Sequence, residues 1–337
     1  MYRTVRPSAC RRLGLLGERS VTKKIKRKHE GGINQINDNY QQSIFDNTEQ
    51  STLENSLRLI RGFEDVALHR HPFGYVVGYS GGKDSEVLVD LFRRAGVKFL
   101  VMHNHTTLDA PETVYHVRRK FSEWTAEGIP CKIYYPRQSF WTLCKEKKML
   151  PNCSARFCCE DLKEYQIPEL RFATRSFGVR KAEGVKRAKL RDSIETRNRV
   201  DYADNQRFHF DDTESVRQMD ACYRNNFFIV NPLAYWTDNE LWNYIHGERL
   251  EINPLYNHGF KRIGCIGCPL ARKHRTIEFE MYPKYKENYI RLCEEIWQER
   301  RKRGMKNYFK TGREYFEFWL NDNRMTQTKP LLELAGV

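Results

Sequence analysis

Six consecutive residues, Ser80-Gly81-Gly82-Lys83-Asp84-Ser85, carry the most legible chemistry in this 337-residue chain. They follow the apolar run Tyr75-Val76-Val77-Gly78-Tyr79 and precede an amphipathic stretch, a pattern that predicts strand, tight loop and helix. Two glycines let the backbone approach an anion closely and adopt positive φ. The free N–H groups of the helix start then point at that anion, with the helix dipole behind them. Lys83 adds a point charge, Ser80 and Ser85 add hydroxyl donors, and Asp84 is placed to hold Mg2+ against a pyrophosphate. This is a phosphate cradle but not the Walker pattern, which needs four residues between its glycine and Gly-Lys-Ser/Thr. A tight turn alone, the plainer reading, needs none of the flanking Ser, Lys and Asp.

A second set consists of Cys158-Cys159 and Cys265-Ile266-Gly267-Cys268-Pro269. A Cys-x-x-Cys with glycine inside turns tightly enough to aim two thiolates at one centre. A vicinal pair suits a cluster better than a single ion, because adjacent side chains reach different iron corners. Four thiolates is the usual complement of a [4Fe-4S] cluster. A tetrahedral zinc site is the alternative, although its usual two Cys-x-x-Cys knuckles are not what these spacings offer. Unliganded thiols are the third. Cys131, Cys144, Cys222 and Cys293 fall in expected strands or helices, where a small buried side chain is the default. Cys153, in a loop before the vicinal pair, is the one further candidate nucleophile or persulfide carrier.

The elements that must position these groups alternate. Strands are expected at Tyr75–Tyr79, Val97–Met102 and Cys131–Tyr135, with helices at Ser85–Ala95, Pro111–Glu127 and Ser139–Lys147. Short connections between them predict an α/β fold with a doubly wound, mostly parallel sheet covered on both faces. Further strands are expected at Arg171–Phe177 and Phe227–Val230, and the polar stretch 201–220 reads as a surface excursion. Ser51-Thr52-Leu53-Glu54 offers a capping box before an earlier helix. From Thr237 the chain reads as a helical C-terminal extension, with helices at Asp238–His246, Pro283–Lys302 and Arg313–Leu320. The expected division is therefore a basic leader over 1–50, a nucleotide-binding domain over 51–234, and a mostly helical region over 235–337 that carries the Cys-x-x-Cys pair.

Composition narrows the class. Hydrophobic residues make up 40% and charged residues 30%, as in ordinary globular chains, so collagen, coiled coil and wholesale disorder are excluded. No run approaches the roughly 18 apolar residues that span a bilayer, and Leu13 to Leu16 is far too short for a secretory h-region near Met1. A reducing, cytoplasmic setting is the expectation, in which clustered cysteines point to metal or redox chemistry rather than disulfides. Net charge is +15, and residues 1–30 alone contribute +8 from ten Lys/Arg against two Glu. That leader suits either nucleic acid phosphates or a solvated arm.

The phosphate loop resembles that of the adenine nucleotide alpha-hydrolase, or PP-loop, superfamily, which includes N-type ATP pyrophosphatases and the phosphoadenosine phosphosulfate (PAPS) reductase family. Three further segments resemble that family: Thr107-Leu108-Asp109-Ala110-Pro111-Glu112-Thr113, Gly178-Val179-Arg180 with Glu183, and Asn231-Pro232-Leu233-Ala234-Tyr235-Trp236-Thr237. The resemblance covers roughly residues 70–270. It implies an adenine nucleotide such as ATP bound by Ser80, Gly81, Gly82, Lys83, Asp84, Ser85 and Arg180, with Lys83, Asp84, Asp109 and Arg180 in catalytic roles. A surface ion pair for Arg180 and a loop-capping role for Asp109 are the plainer readings. The cysteine set is similar to that of assimilatory adenylylsulfate reductases and of DndC, the sulfur-transfer ATPase of DNA phosphorothioation, and many phage and mobile-element proteins share the layout. Cys158, Cys159, Cys265 and Cys268 would then ligate a [4Fe-4S] cluster, with Lys163, Lys261 and Arg262 compensating its charge.

Three reactions follow from the resemblance. ATP-dependent adenylation of an acceptor and sulfur transfer to it, as in DndC, is favoured by the intact Lys83 and Asp84. It implies a sulfur donor such as a cysteine desulfurase and an acceptor such as DNA or tRNA, and leaves room for a homodimer. Sulfonucleotide reduction is the alternative, but those reductases carry a nucleophile in a C-terminal cysteine motif, and no cysteine follows Cys293 here. A tRNA thiolation enzyme shares the chemistry but commonly uses three cluster cysteines. A cluster-holding, nucleic-acid-binding regulator is the non-enzymatic reading.

Overall fold

The computed structural model describes residues 49–164, 167–197, 207–208 and 227–321. Helices α1 (Glu49–Gly62) and α2 (Glu64–Arg70) lead into strand β1 (Tyr75–Gly78). The chain then alternates through α3 (Lys83–Ala95), β2 (Phe99–Asn104), α4 (Pro111–Ala126) and β3 (Cys131–Tyr134). Helices α5 (Phe140–Lys147) and α6 (Phe157–Leu162) precede β4 (Thr174–Ser176), followed by α7 (Val185–Leu190), β5 (Ile194–Arg197), β6 (Arg207–Phe208) and β7 (Phe227–Val230). Helices α8 (Asp238–Gly247), α9 (His274–Met281), α10 (Pro283–Lys302) and α11 (Gly312–Leu320) complete the described chain.

Seven strands form one sheet in the order β3-β2-β1-β4-β7-β5-β6. The first five run parallel, while β5 is antiparallel to both β7 and β6. The expected mostly parallel α/β sheet is therefore what forms. Alternation along the strands explains its two covered faces. Tyr75, Val77 and Val101 pack with Leu88, Phe92, Val117 and Trp124 from α3 and α4, whereas Val76, Leu100 and Met102 meet Ile167, Leu170 and Ala173 on the other side. After β3 the chain reverses direction across the sheet to reach β4, which places a topological switch point between β1 and β4.

A second apolar cluster lies beyond the sheet. Phe140, Leu143 and Cys144 of α5 pack with Phe279, Tyr289, Cys293, Ile296, Phe316 and Trp319 from α9, α10 and α11. Helix α8 belongs instead to the sheet's core through Leu241 and Ile245. Hydrophobic contact thus crosses the expected division at residue 234 in one direction and reaches back to α5 in the other.

Several expectations are corrected. Helix α1 starts at Glu49, so Ser51 and Thr52 lie inside it rather than capping it, and the Thr52 hydroxyl donates across to Glu240 Oε1 at 2.8 Å. A true capping box occurs at Thr237 and Glu240, opening α8. Helix α3 starts at Lys83, two residues before the expected Ser85, because extended Gly82 already serves as its N-cap. Strand β4 is shorter than expected. Strand β5 was not expected at all, because Glu195 and Thr196 break its apolar pattern. Arg207–Phe208, in the stretch read as a surface excursion, instead pairs with β5, and the rest of 201–220 lies outside the described residues. Residues 1–48 and Cys222 lie outside them too. No described helix is long and apolar enough to cross a membrane.

Candidate active site

Strand β1 delivers the phosphate loop to the switch point. Gly81 has φ +75, and a Cβ there would meet Thr113 and Val117 methyls at 3.1 Å, so glycine is needed both for the turn and for its fit against α4. Ser85 Oγ donates to Gly82 O at 2.8 Å and accepts from Ser80 N–H at 3.2 Å, which closes the loop on itself. The one Ser85 hydroxyl proton is thus committed to the loop. Ser80 Oγ, 3.2 Å from Ser85 Oγ, remains the hydroxyl with a proton to turn toward an anion. Beneath the loop, Tyr79 OH donates to Glu86 Oε2 at 2.5 Å, and Lys120 Nζ lies 3.3 Å from the same carboxylate, tying α3 to β1 and α4.

Asp84 is held by two cations. Lys83 Nζ lies 2.9 Å from Oδ2 and Arg180 Nε 2.5 Å from Oδ1. Burial raises the Asp84 carboxyl, but Lys83 and Arg180 outweigh it and hold the group below the usual carboxylate range. Arg180 is itself only 1% exposed and gives its remaining contacts to Asp238 Oδ1 at 2.7 Å and Trp236 O at 3.4 Å. It reaches the cavity as a braced guanidinium behind Asp84. Such a buried pair gains little net stability, since desolvating each ion costs several kcal/mol. Holding Asp84 in one place is what the arrangement achieves. Gly178 backs this pair: a Cβ there would come within 2.9 Å of the Asp84 carbonyl group.

Tyr256, on a 3-10 turn after Asn253, was not singled out as a site residue by sequence reasoning. Its hydroxyl accepts from the Lys83 N–H at 2.9 Å, and burial keeps the phenol protonated by pushing its pKa up. That leaves its own proton to donate. The signal was present in Asn253-Pro254-Leu255-Tyr256, but only the fold shows what the tyrosine touches. Asp238, the second carboxylate on Arg180, was likewise missed.

Asp109 sits at the C-terminal end of the β2 side. It accepts from Thr106 N–H at 2.7 Å, Thr106 Oγ1 at 2.9 Å and His105 Nδ1 at 3.0 Å. Burial raises its carboxyl, and the His105, His103 and Thr106 groups together bring it below the usual range. Burial likewise lowers the His103 imidazole, so the ring is neutral. Asp109 also forms an isolated antiparallel bridge with Cys265, supported by Ile266 N–H donating to Leu108 O at 2.8 Å. The segment carrying Asp109 and the turn carrying the Cys-x-x-Cys are thereby one backbone unit.

The four cysteines lie within electrostatic reach of one another. Cys158 and Cys159 lie on α6, and Cys158 is pushed up by donating to Cys159, by burial, and by the charges of Cys159, Cys265 and Cys268. Cys159 is lowered by that same hydrogen bond and by Lys163. Cys265 is raised to about 11 by burial, against the pull of Lys163, and Cys268 is raised chiefly by burial. Lys163 is raised in turn, first by the charge of Cys265 and then by Asp109, Cys159 and Cys268, against burial, so its ammonium feels both the cysteines and the carboxylate. Gly267 has φ +75, its N–H donates to Glu278 Oε2 at 2.7 Å, and a Cβ there would strike the Phe279 and Tyr289 rings at 2.9 Å. Tyr289 OH donates to Ile266 O at 2.9 Å. The turn is therefore seated in the second apolar cluster. Cys144 and Cys293 are buried as expected, Cys131 is half-buried, and exposed Cys153 sits 3.5 Å from Pro269 O beside the same turn.

A cavity of about 900 Å³ joins the phosphate loop, Arg180, Tyr256 and Asp109, and reaches the cysteine turn only through Gly264, the neighbour of Cys265. Its lining includes Ser80, Gly82–Ser85, Met102–Asn104, Thr106, Asp109, Lys163, Gly178–Arg180, Asp238, Tyr256 and Lys261–Gly264. Its size is that of a ligand site for a nucleotide-sized molecule.

The phosphoadenosine phosphosulfate reductase domain model matches residues 74–271. The chain belongs to the PAPS reductase domain family. An uncharacterized protein of Methanocaldococcus jannaschii is 25% identical over 241 residues, which is 70% of this chain and 51% of that protein. The chain spans about half the length of the two M. jannaschii proteins it matches. Adenosine 5'-phosphosulfate reductase of Allochromatium vinosum is 42% identical over 56 residues, covering 17% of this chain and 21% of that one. Among solved structures, the U34-tRNA thiolase NcsA of Methanococcus maripaludis with its [4Fe-4S] cluster gives a TM-score of 0.42 at 16% identity, over 77% of this chain and 82% of that one. The segments that resemble the family follow strands of the sheet: the phosphate loop after β1, the Asp109 segment after β2, and Gly178–Arg180 after β4.

Proposed function

We propose that this PAPS reductase-family chain binds ATP over the phosphate loop, adenylates an acceptor and supports replacement of the activated oxygen by sulfur, as in the DndC-like branch. The observation that carries the reading is the Asp109–Cys265 bridge, which makes the nucleotide cavity and the four-cysteine site share one wall. In this reading the pyrophosphate lies on Ser80 and the α3 start, with Tyr256 donating to it. Lys83 turns from Asp84 to the phosphates, which frees Asp84 Oδ2 for Mg2+ while Arg180 keeps Oδ1 in place. An acceptor oxygen attacks the α-phosphorus, the bond to the β-phosphate breaks, and pyrophosphate leaves. A sulfur nucleophile from a donor such as a cysteine desulfurase then displaces AMP.

Cys158, Cys159, Cys265 and Cys268 fit a [4Fe-4S] cluster by donor set and by being within electrostatic reach of one another. Such a cluster would supply electrons or sulfur at the cavity wall. Arg187, Lys261 and Arg262 line the cavity mouth and suit an anionic acceptor such as DNA or tRNA. The local match to an adenosine 5'-phosphosulfate reductase supports a second reading, reduction of a sulfonucleotide.

Anaerobic ATP–pyrophosphate exchange with DNA, tRNA and sulfate as separate additions tests this. Stimulation by a nucleic acid supports sulfur transfer. Release of AMP from adenylylsulfate with no exchange favours the reductase, and no turnover of either kind favours a regulator. Iron content tests the cysteines: Cys265→Ser loses it, whereas Cys293→Ser keeps it, and equal loss in both overturns the ligand assignment.

A further inference from the structure

His103, His105 and Asp109 lie at the end of β2 and in the loop that follows, and one ligand atom from each falls within 4.8 Å of the other two. None of the three belongs to the glycine loop or to the cysteine set. We propose that these side chains form a mononuclear site for a divalent transition-metal ion, distinct from both. The site stands on its three side chains, whether or not ATP is the nucleotide.

His103 is 5% exposed, and its Nδ1 lies 2.8 Å from Tyr79 O. A carbonyl only accepts, so Nδ1 carries the proton and Nε2 keeps its lone pair. No hydrogen bond to Nε2 is formed among the described residues. An imidazole whose other nitrogen is tied to a backbone carbonyl is the usual state of a metal-bound histidine. Asp109 is oriented in the same manner by the Thr106 N–H and hydroxyl. Thr107, at φ +63, holds the bend that brings His105 back onto Asp109, and its hydroxyl accepts from Phe140 N–H at 2.9 Å. His105 Nδ1 and Asp109 share a hydrogen bond, and an ion replaces that proton.

Two imidazoles and one carboxylate select first-row divalent ions such as Fe2+, Mn2+ or Zn2+ over Mg2+ or Ca2+, which prefer all-oxygen sets. His103, Thr106 and Asp109 line the cavity, so open coordination positions face it. An ion there is placed to polarise a substrate oxygen. Lys163 is the cation whose charge acts on Asp109, and Cys265 and Cys159 act on the same ammonium.

The test uses full-length protein, dialysed against chelator, and Mn2+ as the probe without nucleotide. Mn2+ favours nitrogen and oxygen over thiolate and reports by its spin resonance. The expected result is one bound Mn2+ with spin-echo modulation from two imidazole nitrogens. His105→Ala, whose side chain is 23% exposed, should weaken binding at least ~10-fold and leave one nitrogen coupling. His105→Gln provides a milder variant, with melting temperature confirming the fold of each. His246→Ala and His258→Ala, at exposed histidines outside the site, should bind as wild type, and Asp84→Asn probes for binding at the glycine loop instead. Binding absent at millimolar Mn2+, binding unchanged in both His105 variants, or loss with Asp84→Asn alone overturns the site.

Discussion

Asp84 lines the cavity and Cys265 follows directly on its lining residue Gly264, yet the two regions that hold them are built differently. The phosphate loop is fixed by contacts within a short stretch of chain plus a chain of ion pairs: Ser80 to Ser85, Lys83 and Arg180 to Asp84, and Arg180 to Asp238. The Cys-x-x-Cys turn is fixed by rings. Phe279, Phe140 and Trp319 lie 5.2–5.4 Å from the Tyr289 ring, and Tyr289 in turn supports Gly267 and Ile266. Electrostatic bracing places one charge accurately and tolerates rearrangement when a ligand brings new charge. Aromatic packing holds backbone shape and changes little with the charge of what binds.

The contrast breaks most visibly at two glycines. Gly267→Ala adds a ring clash to a left-handed backbone and should cost about 3 kcal/mol. Iron should be lost while the folded protein still binds nucleotide. Gly178→Ala pushes on the Asp84 carbonyl and should do the reverse, losing nucleotide at a cost of about 2 kcal/mol while keeping iron. Iron and equilibrium nucleotide binding measured on both variants decide it, and joint loss in each would erase the distinction.

Asp84→Asn leaves Arg180 with Asp238 alone. We expect about 2 kcal/mol of lost stability by chemical denaturation, less than for a fully orphaned buried ion. Because the Asp84 carboxyl is lowered in the fold, its stabilisation is complete above the unfolded value of about 3.9 and is lost as pH falls through the lower folded value. The Asn variant should therefore show a flatter acid limb, and an unchanged limb would show that Asp84 carries none of it.

Tyr256→Phe removes one hydrogen bond to the helix start and should weaken nucleotide binding by about 1 kcal/mol, near 5-fold, with iron unaffected. Calorimetric titration reads this directly.

The smallest effect is expected at Glu240. Burial raises its carboxyl, but donors from Thr237 and Thr52 lower it overall. Glu240→Gln should cost about 0.5 kcal/mol near neutrality, since the partly exposed cap is screened by water. That difference is complete above the unfolded value of about 4.3 and should fade as pH falls through the lower value of the folded state.

Legibility followed the range of the contacts. The loop, its strand and its helix were readable because glycine, lysine and alternating apolar residues act within a few positions of one another. Strand β5 was not, because Glu195 reads as polar in sequence yet is buried against Asn231 Nδ2 and Arg191. Helix α6 escaped notice for a related reason: six residues carry too few turns for periodicity, so its cysteines read only as a motif. Tyr256 and Asp238 lie far along the chain from the Lys83 and Arg180 groups they touch.

By itself the amino-acid order determined the phosphate cradle, the parallel strands and the presence of paired thiols, because each rests on local backbone freedom or on period-two and helical hydrophobicity. The tertiary structure alone decided that Arg180 braces Asp84 and that Asp109 is bridged to Cys265. Those relations depend on where the loops after β1, β2 and β4 meet α8 and the turn before α9, and on burial that sets charge and tautomer. Neither is written in the neighbours of a residue along the chain.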